Sequence, residues 1–212
     1  MSACMKSPAP YGLSDKYWDS LSAEHQALFR VIRPMPAAPY TVDWGLGDLE
    51  DALSRIEADV KQVGGSFELV PDFQRGHVWT DEQRTAFVEA LIRKSTTGRI
   101  LFNCPGWVQA QDDEGDIPDN TFQCIDGLQR LTAVRKFLAG EVRVFGGMVA
   151  ADLRGSPFDT LRMSCRLQIG IYGFKSRAEL LRFYLDLNFG GTAHAPQEIE
   201  RVKGLLAQAA GN

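Results

Sequence analysis

The stretch FQCIDGLQRLTAVRKFLAG, residues 122–140, passes from an apolar strand pattern into an amphipathic helix pattern across Asp126-Gly127-Leu128-Gln129-Arg130. Half of the same device stands earlier, in LVPDFQRGHVW (69–79), where Gln74-Arg75 follows another short apolar run. A helix N-terminus presents unpaired backbone N–H groups and a partial positive charge, which suit it to an anion. Gly127 lets a ligand approach the backbone closely, and Arg130, one turn in, has the fork to grip a phosphate. Asp126 would hold a divalent cation bridging phosphate oxygens, or position a water. An ordinary structural reading stands beside this one: Asp126 and Gln129 also have the spacing of a capping box.

At the first junction Pro71 and Gly76 mark a turn, and a buried Arg75 there needs either an acid such as Asp126 or an anionic ligand. Trp79 and Phe73 read as core, or as stacking surfaces for a base. His77 reads as a turn residue. A third polar connection, DLNFGGTAHAPQEIERV (186–202), brings Asn188, Gly190, Gly191, Thr192 and His194 to the start of another helix. It suits phosphate or ribose, and equally a glycine turn between two helices.

Outward from these junctions, strands are expected in SFELV (66–70), RILFNC (99–104), TFQCI (121–125), EVRVF (141–145) and CRLQIGIY (165–172). One helix is expected over 14–32, and another over 46–63 that carries Leu46, Leu49, Leu53, Ile56 and Val60 along one face and ends at Gly64-Gly65. Thr80 and Gln83 are placed as a capping box for the helix over 80–95. Ser176 and Glu179 cap another, and Pro196 begins the last. RPMPAAPY (33–40) reads as a linker and 146–163 as irregular. Residues 66–175 are therefore expected to form a mixed sheet flanked by helices, with the two junctions adjacent. This order lacks a strict βαβ repeat and favours α+β. The domain expectation is a tail and helical appendage over 1–45, then a nucleotide-binding domain over 46–212.

The 212 residues, 44% hydrophobic, suffice for a substantial core. A net charge of -4 argues against a protein that coats nucleic acid by charge alone. The four cysteines (Cys4, Cys104, Cys124, Cys165) form no zinc-ligand spacing and read as free thiols. Neither a signal peptide nor a membrane-spanning run is evident, and a cytoplasmic location is expected.

Three segments, VPDFQRGHVWTDEQRTAFVEALI, CIDGLQRLTAVRKFLAG and FYLDLNFGGTAHAPQEIERV, resemble in order and spacing the motifs of the DGQQR-motif domain-of-unknown-function family. That family includes the N-terminal domains of GmrSD-type modification-dependent restriction enzymes, within the ParB/sulfiredoxin superfamily. The resemblance covers about residues 64–210. It implies a ParB/sulfiredoxin-like mixed sheet that binds a nucleoside triphosphate, with hydrolysis in several members. By position, Gln74 and Arg75 match the FQR motif, Asp126, Gly127, Gln129 and Arg130 match DGQQR, and Asn188 matches the late polar motif. Leu128 replaces the first Gln of DGQQR, removing one polar group at the site. It also stands where the sulfiredoxin branch carries its reactive cysteine, so sulfinic acid reduction is not expected.

The larger enzymes add a His-Asn-His nuclease. With His25, His77 and His194 its only histidines, this chain is expected to be the nucleotide-sensing half standing alone. Two functions follow. One is a slow NTPase in phage or bacterial DNA metabolism or defence, in which Gln74, Arg75, Gly127, Arg130, Asn188, Thr192 and His194 hold the nucleotide. Asp126, a buried acid carrying Mg2+, would then act in catalysis with Gln129 and Arg130. The other is a non-catalytic interaction module for DNA or a protein partner, such as an inhibitor of a defence system. Self-association is compatible with either.

Overall fold

Ile100–Asn103, Thr121–Asp126 and Arg166–Tyr172 bury nearly every side chain in succession, the pattern of strands covered on both faces. They are the three central strands of a five-stranded mixed sheet. The structure, a computed structural model, describes residues 13–74, 76, 78–108, 115–162, 165–189 and 196–211. In chain order the elements are α1 (Asp15–Ser20), α2 (Ala23–Ile32), β1 (Tyr40–Gly45), α3 (Leu49–Gln62), β2 (Ser66–Glu68), α4 (Asp81–Ile92), β3 (Ile100–Asn103), β4 (Thr121–Asp126), α5 (Leu128–Leu138), β5 (Arg166–Tyr172), α6 (Arg177–Phe189) and α7 (Pro196–Ala210). The strand order is β1-β5-β3-β4-β2. The outermost pairs are antiparallel β1/β5 and parallel β2/β4; inside, β3 runs antiparallel to β4 and parallel to β5.

Alternation along the central strands sends side chains to two cores. Ile100, Phe102, Phe122, Cys124, Leu167, Ile169 and Ile171 meet α3, whose Leu49, Leu53, Ile56 and Val60 are all buried as their spacing predicts. Leu101, Ile125 and Tyr172 meet α6 and α7 instead. A third cluster, built on Val88, Ala133 and Phe137, packs α4 against α5. The α+β expectation therefore holds, with helices on both faces of a mixed sheet.

Three local expectations change. EVRVF is not a strand: Val142 and Val144 are buried, but only a Val144–Met148 bridge forms, because Phe145, Gly146 and Gly147 all take positive φ and turn the chain back. Alternating apolar residues there mark burial without a ladder partner. The helix expected over 14–32 divides at Leu21, whose extended backbone lets Ser22 cap α2 by accepting the His25 N–H. Finally, TVDWG, which the sequence leaves between linker and helix, forms most of edge strand β1, with Val42 and Trp44 turned toward the core.

The chain divides into two compact units, 1–37 and 38–212. The sheet unit thus takes in Tyr40–Gly45, and the boundary drawn at residue 45 falls at the end of its edge strand. In the smaller unit neither α1 nor α2 has a buried residue, and Trp18 meets Phe29 edge-on at 5.8 Å. No helix among the described residues is long and apolar enough to cross a membrane.

Candidate functional site

Strand β4 carries Asp126 to its end, and Gly127 turns the chain into α5 at φ 101°. Any other residue is strained there twice over. The backbone is left-handed, and a Cβ would lie 3.0 Å from Ile100 Cα and 3.1 Å from both its γ carbons. Gly127 is itself the N-cap of α5, so no side chain caps this helix. The capping box expected of Asp126 and Gln129 does not form.

Gln129 turns away from its own helix and joins the two junctions. Its Oε1 accepts the Val78 and Trp79 N–H groups at 3.1 and 3.2 Å, and its Nε2 donates to the Gly76 carbonyl at 2.8 Å. Gln74 reaches back the other way, its Nε2 donating to the Ile125 and Cys124 carbonyls at 2.6 and 3.2 Å. The FQR and DGLQR turns are adjacent, and each lends a glutamine amide to the other's backbone. Neither glutamine was expected to act mainly on backbone; such use leaves no mark in a sequence.

Asp126 pairs with Arg130, one turn on. Their side chains are 33% and 29% exposed, so the acid at this site is half-open to solvent and not buried. The rim position at the end of β4 explains this. Arg130 Nε is itself buried and has no hydrogen-bond partner among the described residues. Leu128, by contrast, is 3% exposed and belongs to the main core. At the first position of α5 its side chain faces the sheet, so the departure from DGQQR changes core packing and leaves the rim alone. Beneath the same turn, burial pushes the Cys124 thiol far up, and the nearby Asp126 charge adds to the effect.

The first junction is also held from the other side. Arg177, at the start of α6, grips both carboxylate oxygens of Asp72 at 2.8 and 2.6 Å. Arg201, on α7, donates to the Asp72 carbonyl and, at 3.0 Å, to the Phe73 carbonyl. Glu198, one turn before, holds the Arg201 guanidinium at 2.6 Å and raises its pKa above the usual range. Glu198 and Arg201, an acid and an arginine at i, i+3 spacing, lie inside the third polar segment, and that spacing is the one sign of this contact in the sequence.

Phe73 is a core residue, fully buried edge-on to Tyr184 at 5.2 Å, and Trp79, partly buried, packs on Phe87 at 5.6 Å against the third cluster. Asn188 donates to the Tyr184 carbonyl one turn back at 2.7 Å and lines a cavity of about 200 Å³ with Tyr184, Glu198 and Val202. Arg75, His77, Gly190, Gly191, Thr192 and His194 lie outside the described residues. Among the described residues no group of three or more His, Cys, Asp or Glu side chains is placed to hold a metal ion.

No curated protein and no solved structure gives a significant match. The family model of the GmrSD restriction endonuclease N-terminal domain, however, matches residues 49–201, a span that takes in both stitched junctions, the α5 start and the Arg201 clamp. The chain belongs to that family, which is associated with restriction and defence systems.

Proposed function

We propose that the paired junctions bind the phosphates of a nucleoside triphosphate, on a fold of the ParB/sulfiredoxin kind. The observation that carries this is the uncapped start of α5 beside Arg130, whose buried Nε lacks a partner among the described residues. Backbone N–H groups, a left-handed glycine and a guanidinium together favour an anion over any neutral ligand. Asp126 fits Mg2+ only in part. A lone carboxylate beside an arginine is a poor metal site, but Mg2+ usually takes one or two carboxylates plus substrate phosphates. Asp126 would hold the ion once the nucleotide is present, and the ion would neutralise phosphate charge. Gln74 and Gln129 then act as positioning residues, because their amides are committed to backbone. In this reading the activity is slow hydrolysis in phage or bacterial DNA metabolism or defence. Arg75, Thr192 and His194 complete the nucleotide contacts proposed from sequence.

Titration calorimetry with the four common NTPs, with and without Mg2+, tests this reading. At least one should bind, more tightly with Mg2+. A bidentate arginine–phosphate contact contributes roughly 1.5–3 kcal/mol, so Arg130→Ala should weaken binding about tenfold or more. Asp126→Asn should mainly lower turnover. If the parent binds no nucleotide, or Arg130→Ala binds as the parent does, the proposal fails. The commitment of both motif glutamines to backbone would then favour the second reading: a non-catalytic module that keeps the stitched junctions as scaffold and binds DNA or a phage or defence protein.

A further inference from the structure

We infer that Arg201 is a positioning residue for the FQR turn: from α7 it fixes the backbone that presents Gln74, and so sets nucleotide affinity without touching the ligand. This rests on the nucleotide reading above for its second half only. Among its described residues the turn Asp72–Trp79 contains no helix or strand, and so they have no ladder to hold them. Besides one turn bond, from the Gln74 N–H to the Pro71 carbonyl at 2.9 Å, its backbone is held by side chains from three elements. Gln129 of α5 takes the N–H groups of Val78 and Trp79 and the carbonyl of Gly76. Arg201 of α7 takes the two carbonyls of Asp72 and Phe73, immediately before Gln74. Arg177 of α6 takes the Asp72 carboxylate.

Of these, Arg201 alone bridges two successive carbonyls of the turn. It does so with one fork, and Glu198 holds the fork in place from the same helix. The neighbouring Phe73 is fully buried, so the two carbonyls cannot swing far without moving a core side chain. Residues 196–202 of the third motif thus act on the first motif, which accounts for a charged Glu198–Arg201 pair on a helix that otherwise packs through Val202, Leu205 and Leu206.

The test uses the full chain as parent, Arg201→Met, Arg201→Lys, and Arg182→Met as an exposed control on the neighbouring helix. Amide hydrogen exchange of the peptide spanning 71–79 is read against peptides from β3, β4 and β5, and nucleotide affinity is measured alongside. Arg201→Met should speed exchange in 71–79 about tenfold or more while leaving the central strands unchanged. It should also weaken nucleotide binding about tenfold, and Arg201→Lys, which can still donate to a carbonyl, should recover most of both. Arg182→Met should change neither. Unchanged exchange in 71–79, or equal acceleration across the central strands, would overturn the inference, as would parental affinity in a variant whose turn has loosened. If the parent binds no nucleotide, the nucleotide reading fails by itself, and the exchange pattern alone decides whether Arg201 fixes the turn.

Discussion

Helices α4 and α5 begin in the same neighbourhood, pack against each other, and start in opposite ways. At α4, Thr80 accepts the Gln83 N–H at 3.3 Å and Gln83 returns the bond to the Thr80 N–H at 2.9 Å, closing a full capping box. At α5 the cap is a left-handed glycine with no side chain to offer, and the glutamine that matches the capping pattern is spent on the neighbouring turn. The same local signature, an oxygen-bearing side chain followed three residues later by Gln, is structural in one place and open in the other. A helix start left uncapped in a well-packed domain is where an anion can supply the missing acceptor.

The strongest way to break the comparison is Gly127→Ala. A left-handed alanine costs about 1–2 kcal/mol and forced overpacking about 1–3 kcal/mol, so a loss of roughly 2–5 kcal/mol is expected from the denaturation midpoint. The matching change at α4, Thr80→Ala, should cost about 1 kcal/mol. Equal losses at the two sites would mean that Gly127 is an ordinary cap.

Next comes the contrast between the two glutamines. Gln129→Ala removes three hydrogen bonds that tie separate segments together, at roughly 0.5–1.5 kcal/mol each before discounting for partial exposure, so about 2 kcal/mol is expected. Gln83→Ala removes one local bond at an exposed helix start and should cost under about 1 kcal/mol. Urea titrations of the two variants decide the matter, and a Gln129→Ala variant as stable as Gln83→Ala would show that the two turns are held by other means.

These contrasts also mark what the sequence could and could not convey. Amphipathic spacing identified α3, α4, α5 and the central strands because Leu49, Leu53, Ile56 and Val60, or Ile100 to Phe102, are buried by position alone. The adjacency of the two junctions followed from two similar strand-to-helix turns in one small domain. What stayed hidden was nonlocal. That Gln129 would desert its own helix for Val78 and Trp79, or that Arg201 would reach the carbonyls of Asp72 and Phe73, depends on how distant segments meet. β1 escaped notice because proline-rich sequence precedes it and only Val42 and Trp44 carry its alternation. Leu128 looked like a lost polar group only because a motif does not say which way each of its side chains points.

The finest contrast lies between two arginines. Arg84 on α4 and Arg130 on α5 each pair with an acid one turn earlier, Asp81 and Asp126, and each has a buried Nε without a hydrogen-bond partner among the described residues. An unpartnered buried Nε therefore does not by itself mark a ligand site; what differs is the helix start it stands beside. Arg84 is only 12% exposed and stands behind a closed capping box, whereas Arg130 is 29% exposed beside an open one. Replacing Arg84 with Met keeps the packing of its stem and removes an unsatisfied polar atom, so stability should change by less than about 1 kcal/mol in either direction. Arg130→Met should likewise cost less than about 1 kcal/mol, because a half-exposed ion pair contributes little. The two variants should then separate on ligand alone, with nucleotide affinity kept in Arg84→Met and lost in Arg130→Met. If both lose it together, the anion is held between the helices and not at the uncapped start of α5. If both keep it, the arginines are packing residues and the open helix start has no phosphate to serve.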